Sequence, residues 1–428
     1  MKKTFLLVLF FFCACTIQQV VAADSLDLVI VFANNTDATK WKGLLKPREV
    51  EISYPSEARL WRFPITPLKF TVNGKEYTIP MNNPAKAIGV IGERSDAIGV
   101  GDNSTWVMPP LPDSVIHGTL LNSSTRLFPH LTPDSVNSLF YLPKNQIVAQ
   151  QDVKIYLLDT GVELEQNGLP SNALLRSYID MNAAWNFVNN THLPHDDHTD
   201  AHGTAVAGIV TRYLTYLTNP QNKNIKIVPL KVLNEQGSGT AFNVIKAIDK
   251  ATREHATLIN CSLAIKKSIF SFARKPPLQI AIEKAEAEHI LVIAGAGNDD
   301  VNIECRNYYP AVLPNNNIIA VGASKYDKNE SKYEKTDFSN KGRKSVDVFA
   351  PGQKIGSIGK NNNYLKASGT SFSAPIVTGL AALLTAQGTI GDFLEVKKRI
   401  METAMPVSRL SGACVTGGVI NAQMALRQ

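Results

Sequence analysis

Apolar residues after Gln151 are gathered into short, nearly continuous runs. The runs are Val153–Leu158, Ile225–Leu233, Leu258–Leu263, Ile290–Ala294, Ile318–Val321 and Val346–Ala350. Runs of this kind are typical of strands that are buried on both faces, as in a parallel sheet. Between them lie patterns that predict helices, at Ala241–His255, Leu278–His289 and Ser371–Ala386. The alternation predicts an α/β fold, a doubly wound and mostly parallel sheet that is flanked by helices.

The chain before residue 145 has a different pattern. It is punctuated by prolines and carries shorter β-like runs, such as Leu26–Ala33 and Lys69–Val72. Asn73-Gly74 lies between two such runs and predicts a tight hairpin turn. We therefore expect a smaller β-rich unit over residues 24–145, followed by the α/β domain over residues 146–428.

The extreme N-terminus is typical of a secretory signal peptide. Lys2-Lys3 precede the unbroken apolar run Phe5–Ala14, which is too short to span a bilayer. Small residues at Ala22-Ala23 supply a cleavage site, so residues 1–23 are predicted to be a signal peptide. The mature protein is then expected to be secreted, either outside the cell or into a periplasm. A lipoprotein anchor at Cys15 is the alternative.

Composition and charge exclude several classes of protein. The chain is 44% hydrophobic and 19% charged, which excludes a disordered chain and a charged coiled coil. The net charge is +7, but the most basic stretch, Lys325–Lys366, contains no nucleic-acid-binding motif. No other apolar run is long enough to cross a membrane. We expect a monomer without a nucleic-acid partner or a transmembrane segment.

Three cysteines remain once the signal peptide is removed. Cys261 lies in an apolar run and is expected to be a buried free thiol. Because an odd number of cysteines leaves at most one pair, Cys305 and Cys414 are predicted to form a disulfide.

Three polar residues mark the edge of the sheet at which ligands bind in open parallel sheets. Asp159 ends the first apolar run, His202 opens an apolar segment rich in small residues, and Ser371 begins the last predicted helix. A serine hydroxyl is a poor nucleophile until a base takes its proton, and a histidine oriented by a carboxylate is such a base. The three residues together predict a catalytic triad, in a chain order already known for such triads.

The motifs around these residues resemble those of the subtilase (subtilisin-like serine peptidase) family. The resemblance covers about residues 151–405 and is carried by Asp159-Thr160-Gly161, His202-Gly203-Thr204 and Gly369–Pro375. A fourth match is Gly295-Ala296-Gly297-Asn298. The resemblance implies a serine endopeptidase that hydrolyses peptide bonds through an acyl-enzyme intermediate.

The family's roles can be carried over residue by residue. Asp159 would orient the base, His202 would act as general base and then general acid, and Ser371 would be the nucleophile. The Asn298 side chain and the Ser371 backbone N–H would form the oxyanion hole. This chemistry requires no cofactor, and the resemblance leaves structural calcium open. A catalytically silent protein of the same fold, acting as a binding module, is an alternative.

The resemblance also implies a site for polypeptide substrates. Ser262-Leu263-Ala264 and Gly237-Ser238-Gly239 would pair with an extended peptide, and Gly295-Ala296-Gly297 would line the first pocket. Ala264 stands where the family usually has glycine. Lys266-Lys267 lie where relatives that cleave after paired basic residues carry acidic ones, so that specificity is not expected.

Residues 24–145 lie between the predicted signal peptide and the α/β domain, and this position suggests their role. In secreted subtilases, a segment placed there assists folding, inhibits the cleft and is removed by self-cleavage. We expect such a pro-segment, with cleavage near residues 140–150. An accessory β-rich domain that stays attached is the alternative.

A cluster of histidines and aspartates offers a metal site as a second interpretation. Its members are His192, His195, Asp196, Asp197, His198, Asp200 and His202. Imidazole and carboxylate groups are ligands of zinc. Asn189, Asn190 and Pro194 indicate a loop, however, and no glutamate follows the first histidine. A solvated loop beside the cleft is favoured, and no metal is assigned.

Overall fold

The computed structural model describes residues 25–72, 74–94, 97–102, 105–107, 116–118, 147–215, 225–264, 275–304, 306, 308–327, 329–330, 332–388 and 391–427. The predicted signal peptide, the lipid site at Cys15, Cys305, Lys266-Lys267 and most of the predicted cleavage region lie outside these residues.

The N-terminal unit is an antiparallel sheet with two helices. Its elements are β1 (Ser25–Phe32), α1 (Asn35–Leu45), β2 (Arg48–Ser53), β3 (Ala58–Pro64), β4 (Leu68–Val72), β5 (Lys75–Ile79), α2 (Pro84–Arg94) and β6 (Ala97–Asp102). The main sheet has the order β2-β3-β1-β6, and β4 pairs with β5 in a separate hairpin. The predicted hairpin is therefore confirmed by the pairing of Val72 with Lys75, while Asn73 itself lies outside the described residues. The prediction of a β-rich unit missed α1 and α2, which give the unit a split β-α-β arrangement.

Two short strands follow the N-terminal unit and pair with the α/β domain. These are β7 (Thr105–Val107) and β8 (Ile116–Gly118). β7 runs antiparallel to Ser238–Thr240, and β8 runs antiparallel to Tyr364–Ala367. The first partner overlaps the predicted substrate segment Gly237-Ser238-Gly239, and the second ends four residues before Ser371.

The α/β domain contains the predicted parallel sheet. Its elements are β9 (Val153–Asp159), α3 (Ala173–Tyr178), β10 (Trp185–Asn186), α4 (His202–Leu214), β11 (Ile225–Lys231), β12 (Ser238–Thr240), α5 (Ala241–Arg253), β13 (Leu258–Cys261), α6 (Pro277–Ala287), β14 (Leu291–Gly295), β15 (Ile318–Asp327), β16 (Lys332–Lys335), β17 (Val348–Pro351), β18 (Ile355–Ile358), β19 (Tyr364–Ala367), α7 (Thr370–Ala386), α8 (Phe393–Glu402), β20 (Met405–Pro406), β21 (Gly418–Val419) and α9 (Ala422–Ala425). Short 3-10 turns cover Lys360–Asn362 and Ser408–Leu410.

Strand order places the predicted site at a reversal in the sheet. The order is β10-β11-β9-β13-β14-β15-β17-β21-β20, and the pairs from β10 to β21 are parallel. The chain thus passes from β9 to β11 on one side and returns to β13 on the other. Crevices beyond the carboxyl ends of strands at such a reversal are where open sheets bind ligands. Asp159 ends β9 at this point.

Burial of the strands explains their apolar composition. Every residue of β13 and β14 is buried, so neither face of these strands can carry exposed polar groups. α7 packs on β13, β14, β15 and β17, and α4 packs on α7. Among the described residues, no helix is long and apolar enough to cross a membrane.

The two faces of the N-terminal sheet have different partners. Leu28 and Ile30 belong to the unit's own apolar core, with side chains from α1 and α2. Val31 and Leu60 point to the other face and belong to the core of the α/β domain. Alternation along a strand with a period of two separates these sets. The outer face packs on α5 and α6, through β1, β2 and β6.

One expectation about the cysteines is wrong. Cys414 is a buried free thiol, and its Sγ lies 3.8 Å from the carbonyl oxygen of Gly418, to which it donates. The predicted pair with Cys305 was based on the parity of the cysteine count, which carries no geometry. Cys261 is the buried free thiol that was predicted, and burial raises its pKa to about 12.

Candidate active site

A buried carboxylate and imidazole form the centre of the site. Asp159 Oδ1 lies 2.7 Å from His202 Nδ1, and both residues are almost completely buried. The Thr160 N–H also donates to Asp159 Oδ1, at 2.7 Å. The carboxylate therefore fixes the orientation of the ring and favours the proton on Nδ1, which leaves Nε2 as the basic atom.

Ser371 lies beside this pair, in the first turn of α7. The His202 ring packs edge-on against Phe372, with ring centroids 5.3 Å apart, and this contact brings α4 and the start of α7 together. Ser371 Oγ and His202 Nε2 are buried, and neither has a hydrogen-bond partner among the described residues. Hydrogen bonds between catalytic side chains are often long in the absence of substrate and tighten when the substrate binds.

Two glycines permit the close backbone packing around Asp159 and His202. A Cβ on Gly203 would lie 2.2 Å from the carbonyl oxygen of Gly161. Gly161 has a φ of +109°, and a Cβ there would lie 2.2 Å from the carbonyl oxygen of Pro194. The glycines that follow the two polar residues in their motifs are therefore required by packing.

The N-terminus of α4 is held by a carboxylate from the loop that precedes the helix. Ala201 precedes His202 with a φ of +48° and offers no side-chain cap. Asp196 instead accepts from the Thr204 N–H at 2.9 Å and from Thr204 Oγ1 at 2.7 Å. Burial raises the pKa of the Asp196 carboxyl. Sequence reasoning placed Asp196 in a metal cluster and missed this positioning role.

Asn298 is held beside Ser371 by Thr370. Its Oδ1 accepts from the Thr370 N–H at 2.9 Å and from Thr370 Oγ1 at 3.0 Å. An ideal Cβ on Gly369 would lie 3.1 Å from Ser371 Oγ and 3.2 Å from Asn298 Nδ2, so both atoms border the same small space. The start of a helix also favours negative charge there. Sequence reasoning missed Thr370, although it stands inside the matched motif.

A chain of side-chain hydrogen bonds anchors Ser371 to β13. The Thr378 hydroxyl donates to Asn260 Oδ1 at 2.8 Å, and Asn260 Nδ2 donates to Ser262 Oγ at 2.9 Å. The Ser262 hydroxyl donates to the carbonyl oxygen of Ser371, also at 2.9 Å. The Ser262 side chain therefore holds the backbone of Ser371 against the end of β13. Leu263 and Ala264, which follow it, are buried.

The second predicted substrate segment overlaps β12. Gly237 has a φ of +69°, and a Cβ on Gly239 would lie 2.1 Å from the carbonyl oxygen of Val232. Ser238 opens β12, which pairs with β7 in antiparallel fashion. The segment already accepts an added strand, which is how extended peptides are bound at sheet edges.

The predicted pocket segment after β14 is held by Asn340. Asn340 Nδ2 donates to the carbonyl oxygen of Ala296 at 2.8 Å. Gly297 has a φ of +98°, and a Cβ there would lie 2.4 Å from Asn340 Nδ2. Gly295 approaches Thr370 Oγ1, which would be 3.2 Å from its Cβ. Asn340 lies in an unremarkable stretch of sequence, which offers no sign of this role.

The histidine cluster does not gather at one point. His195 Nδ1 accepts from the Leu164 N–H, and His198 Nδ1 accepts from the Asp200 N–H. The His192 ring packs against Trp185. The described part of the chain contains no group of three or more His, Cys, Asp or Glu side chains placed to hold a metal ion.

Comparison with known proteins identifies the family. The sequence profile of the subtilase family matches residues 150–421, and the chain belongs to this family. It is 33% identical over 276 residues to the thermophilic serine proteinase of Bacillus sp. (strain AK1), covering 64% of this chain and 61% of that protein. It is 30% identical over 278 residues to subtilisin DY of Bacillus licheniformis, covering 64% of this chain and 90% of that protein.

Solved structures agree on the fold. Fervidolysin from Fervidobacterium pennivorans, a keratinolytic enzyme related to subtilisin, matches with a TM-score of 0.66 at 18% identity, over 94% of this chain and 61% of that chain. A cold adapted subtilisin-like serine proteinase matches with a TM-score of 0.50 at 27% identity, over 67% of this chain and 97% of that chain. The α/β fold predicted from the apolar runs is therefore confirmed.

Proposed function

We propose that this protein is a serine endopeptidase that cleaves polypeptides through an acyl-enzyme. The observation that carries the proposal is the buried Asp159–His202 pair, 2.7 Å apart, beside Ser371 at the start of α7. His202 Nε2 takes the proton from Ser371 Oγ as the oxygen attacks the peptide carbonyl carbon. The resulting imidazolium, stabilised by Asp159, then gives the proton to the leaving amine.

Asn298 and the Ser371 N–H stabilise the oxyanion of the tetrahedral intermediate. The proposal is supported by the two hydrogen bonds through which Thr370 holds Asn298 Oδ1, because they leave Nδ2 directed to the other side of the amide. A donor that is fixed before the reaction needs no reorganisation when charge develops.

Substrates bind as extended chains between two segments. Backbone groups of Ser262-Leu263-Ala264 and Gly237-Ser238-Gly239 supply the hydrogen bonds, and Gly295-Ala296-Gly297 forms one wall of the first pocket. The pairing of β7 with β12 supports this assignment, since it places a strand where the substrate would lie. Polypeptide is the substrate class, and the chemistry uses no cofactor.

The N-terminal unit acts as an inhibitor until it is removed. The two strands that follow the unit, β7 and β8, pair with β12 and β19 of the α/β domain, and β19 ends four residues before Ser371. A chain held against the strand that leads to Ser371 would keep substrates out. Residues 1–23 direct secretion, so release from inhibition would follow export. Self-cleavage near residues 140–150 completes this proposal.

Hydrolysis of an unfolded polypeptide by the wild type and by Ser371→Ala tests the endopeptidase. We expect activity in the wild type and none above background in the variant, although both fold. Equal activities would contradict the mechanism. N-terminal sequencing of the same preparations tests self-cleavage, since Ser371→Ala should keep its N-terminal unit. A variant that is cut near residues 140–150 when expressed alone would exclude self-cleavage without touching the triad.

A further inference from the structure

A buried carboxylate lies where the N-terminal unit meets the α/β domain. Asp249 is on α5 and is completely buried. Its Oδ2 accepts from the Ser53 hydroxyl at 2.5 Å and from the Ser56 hydroxyl at 2.7 Å. Ser53 ends β2 and Ser56 lies in the turn that follows, so both hydroxyls come from the N-terminal unit.

The other oxygen of this carboxylate is not satisfied. Asp249 Oδ1 is buried and has no hydrogen-bond partner among the described residues. A buried charge is costly unless it is paired and fully hydrogen-bonded, whereas a protonated carboxyl at the same place carries no charge. The surroundings of Asp249 therefore favour the neutral acid as long as the two units stay docked.

Neighbouring charges do not compensate for this burial, because most have other partners. On the elements around Asp249 they are Lys246, Lys250 and Arg253 on α5, Glu51 on β2, Glu57 in the next turn, Arg59 on β3, and Glu283, Lys284 and Glu286 on α6. Lys246 pairs with Glu51, Lys250 with Glu254, Glu57 with Arg59, and Glu283 with Lys275. Glu286 accepts from Asn315.

The positive charge of Arg253 acts on Asp249. Its guanidinium donates to the carbonyl oxygen of Tyr54, at 3.3 Å, and forms no ion pair with the carboxylate. Burial raises the pKa of Asp249 from 3.8 to about 6, although the Ser53 and Ser56 hydroxyls and the charge of Arg253 act in the opposite direction. Burial is therefore the dominant effect at this position.

We propose that docking of the N-terminal unit on α5 is linked to a proton on Asp249, so that the interface is tight at acidic pH and loosens as the pH rises. The carboxyl keeps its proton while Ser53 and Ser56 cover it. When the unit separates, the carboxyl meets water and releases the proton. The inference concerns docking alone, and only its consequence for inhibition rests on the proposed peptidase function.

The direction and size of the effect follow from linkage. The docked carboxyl has the higher pKa, so its contribution to docking is complete below about pH 4 and is lost as the pH rises through about 6. Above about pH 7 both forms are ionised and the loss is complete. Between pH 5 and pH 8 the equilibrium constant for opening should rise about tenfold.

Thiol labelling measures this opening in the full chain. Val31 is completely buried on the docked face of β1, so a Val31→Cys thiol reacts only when the interface opens. The background carries Ser371→Ala to prevent self-cleavage, and labelling at residue 31 is read by peptide mass. The labelling rate at residue 31 is divided by the labelling rate of a free thiol at the same pH, so that only the opening of the interface remains. We expect a rise of about tenfold from pH 5 to pH 8.

Two variants identify the group responsible. Asp249→Asn keeps an acceptor for both hydroxyls without a charge, and should label at the slow acidic rate at every pH. Glu51→Gln removes an ion pair in the same interface and should keep the tenfold rise. The proposal is overturned if the labelling rate does not rise with pH in the Val31→Cys protein that retains Asp249. It is also overturned if the rise persists in Asp249→Asn. Asp249→Ala is a second neutral variant should Asp249→Asn fail to fold.

Discussion

The α/β domain and the N-terminal unit bury their sheets in different ways. β13 and β14 are buried along their whole length by elements of their own domain. The N-terminal sheet is covered on one face by its own helices and on the other by the α/β domain, where Val31 and Leu60 join that domain's core. The α/β fold is thus self-contained, whereas the N-terminal unit completes its burial only when docked.

The buried polar groups differ in the same way. At the active site, Asp196, Asn260 and Thr370 have partners in their own domain, and these contacts fix the groups that would react. At the interface, Asp249 takes its partners from the other unit. The polar groups of the site thus depend on contacts inside one domain, whereas the buried carboxylate of Asp249 depends on hydroxyls of the other unit.

Outside the Asp159, His202 and Ser371 triad, a large effect is expected inside the α/β domain at Asn298. Asn298→Ala should lower kcat by about 10²–10³-fold with little change in KM, because the lost donor acts on charge that develops in the transition state. The magnitude is that of the equivalent change in subtilisin. Asn302→Ala is the matched control, since Asn302 is exposed and its Oδ1 accepts from the nearby Glu304 N–H. Steady-state kinetics that show equal kcat values for both variants would remove Asn298 from the mechanism.

Close backbone packing beside the triad should have the next largest effect. Gly203→Ala places a Cβ 2.2 Å from the carbonyl oxygen of Gly161, so the start of α4 must shift and His202 with it. We expect activity to fall by about 100-fold, since displacement by about 1 Å has that effect. Kinetics and a thermal melt check the result together. A variant with normal kcat would show that the backbone adjusts without moving His202.

The docked face of the N-terminal unit should respond differently from its own core. Leu60→Ala removes a buried side chain that packs on the α/β domain, and should weaken docking by about 2–3 kcal/mol. Leu28→Ala empties the unit's own core and should unfold the unit itself. Circular dichroism melts and susceptibility to an added protease distinguish the two. Equal effects of both substitutions on the unit's own melting would contradict the division into two faces.

The smallest effect is expected at an open glycine of the N-terminal unit. Gly43 is exposed within α1, and a Cβ there would meet nothing within 4 Å. Gly43→Ala should stabilise the unit by about 0.5–1 kcal/mol, since glycine inside a helix costs conformational entropy. Denaturant unfolding measures the gain. A loss of stability would mean that α1 is strained at this point.

The α/β domain was predictable because its signals are local and redundant. Strands buried on both faces leave continuous apolar runs, and the motifs at Asp159, His202 and Ser371 stand at strand or helix ends. α1 and α2 were missed for a physical reason. α1 buries only Ala38, Trp41 and Leu45, and α2 contains Gly89 and Gly92, which lower its helix propensity.

Contacts between distant residues could not be predicted from one sequence. Ser53 is 196 residues from Asp249, and Thr370 is 72 residues from Asn298. Nothing in the local sequence pattern connects either pair, because the two residues of each pair come into contact only after the sheet and its helices have packed. The predicted Cys305–Cys414 disulfide failed in the same way, since a count of cysteines says nothing about where their side chains point.

Active-serine labelling tests the central claim most directly. The protein is freed of its N-terminal unit, by its own cleavage or by an added protease, and treated with a fluorophosphonate probe. We expect stoichiometric labelling that peptide mass assigns to Ser371. His202→Ala should slow labelling by at least about 10³-fold, whereas His255→Ala, at an exposed histidine, should have no effect. A folded protein that is not labelled at Ser371, or whose labelling ignores His202, would contradict the account and indicate a binding module.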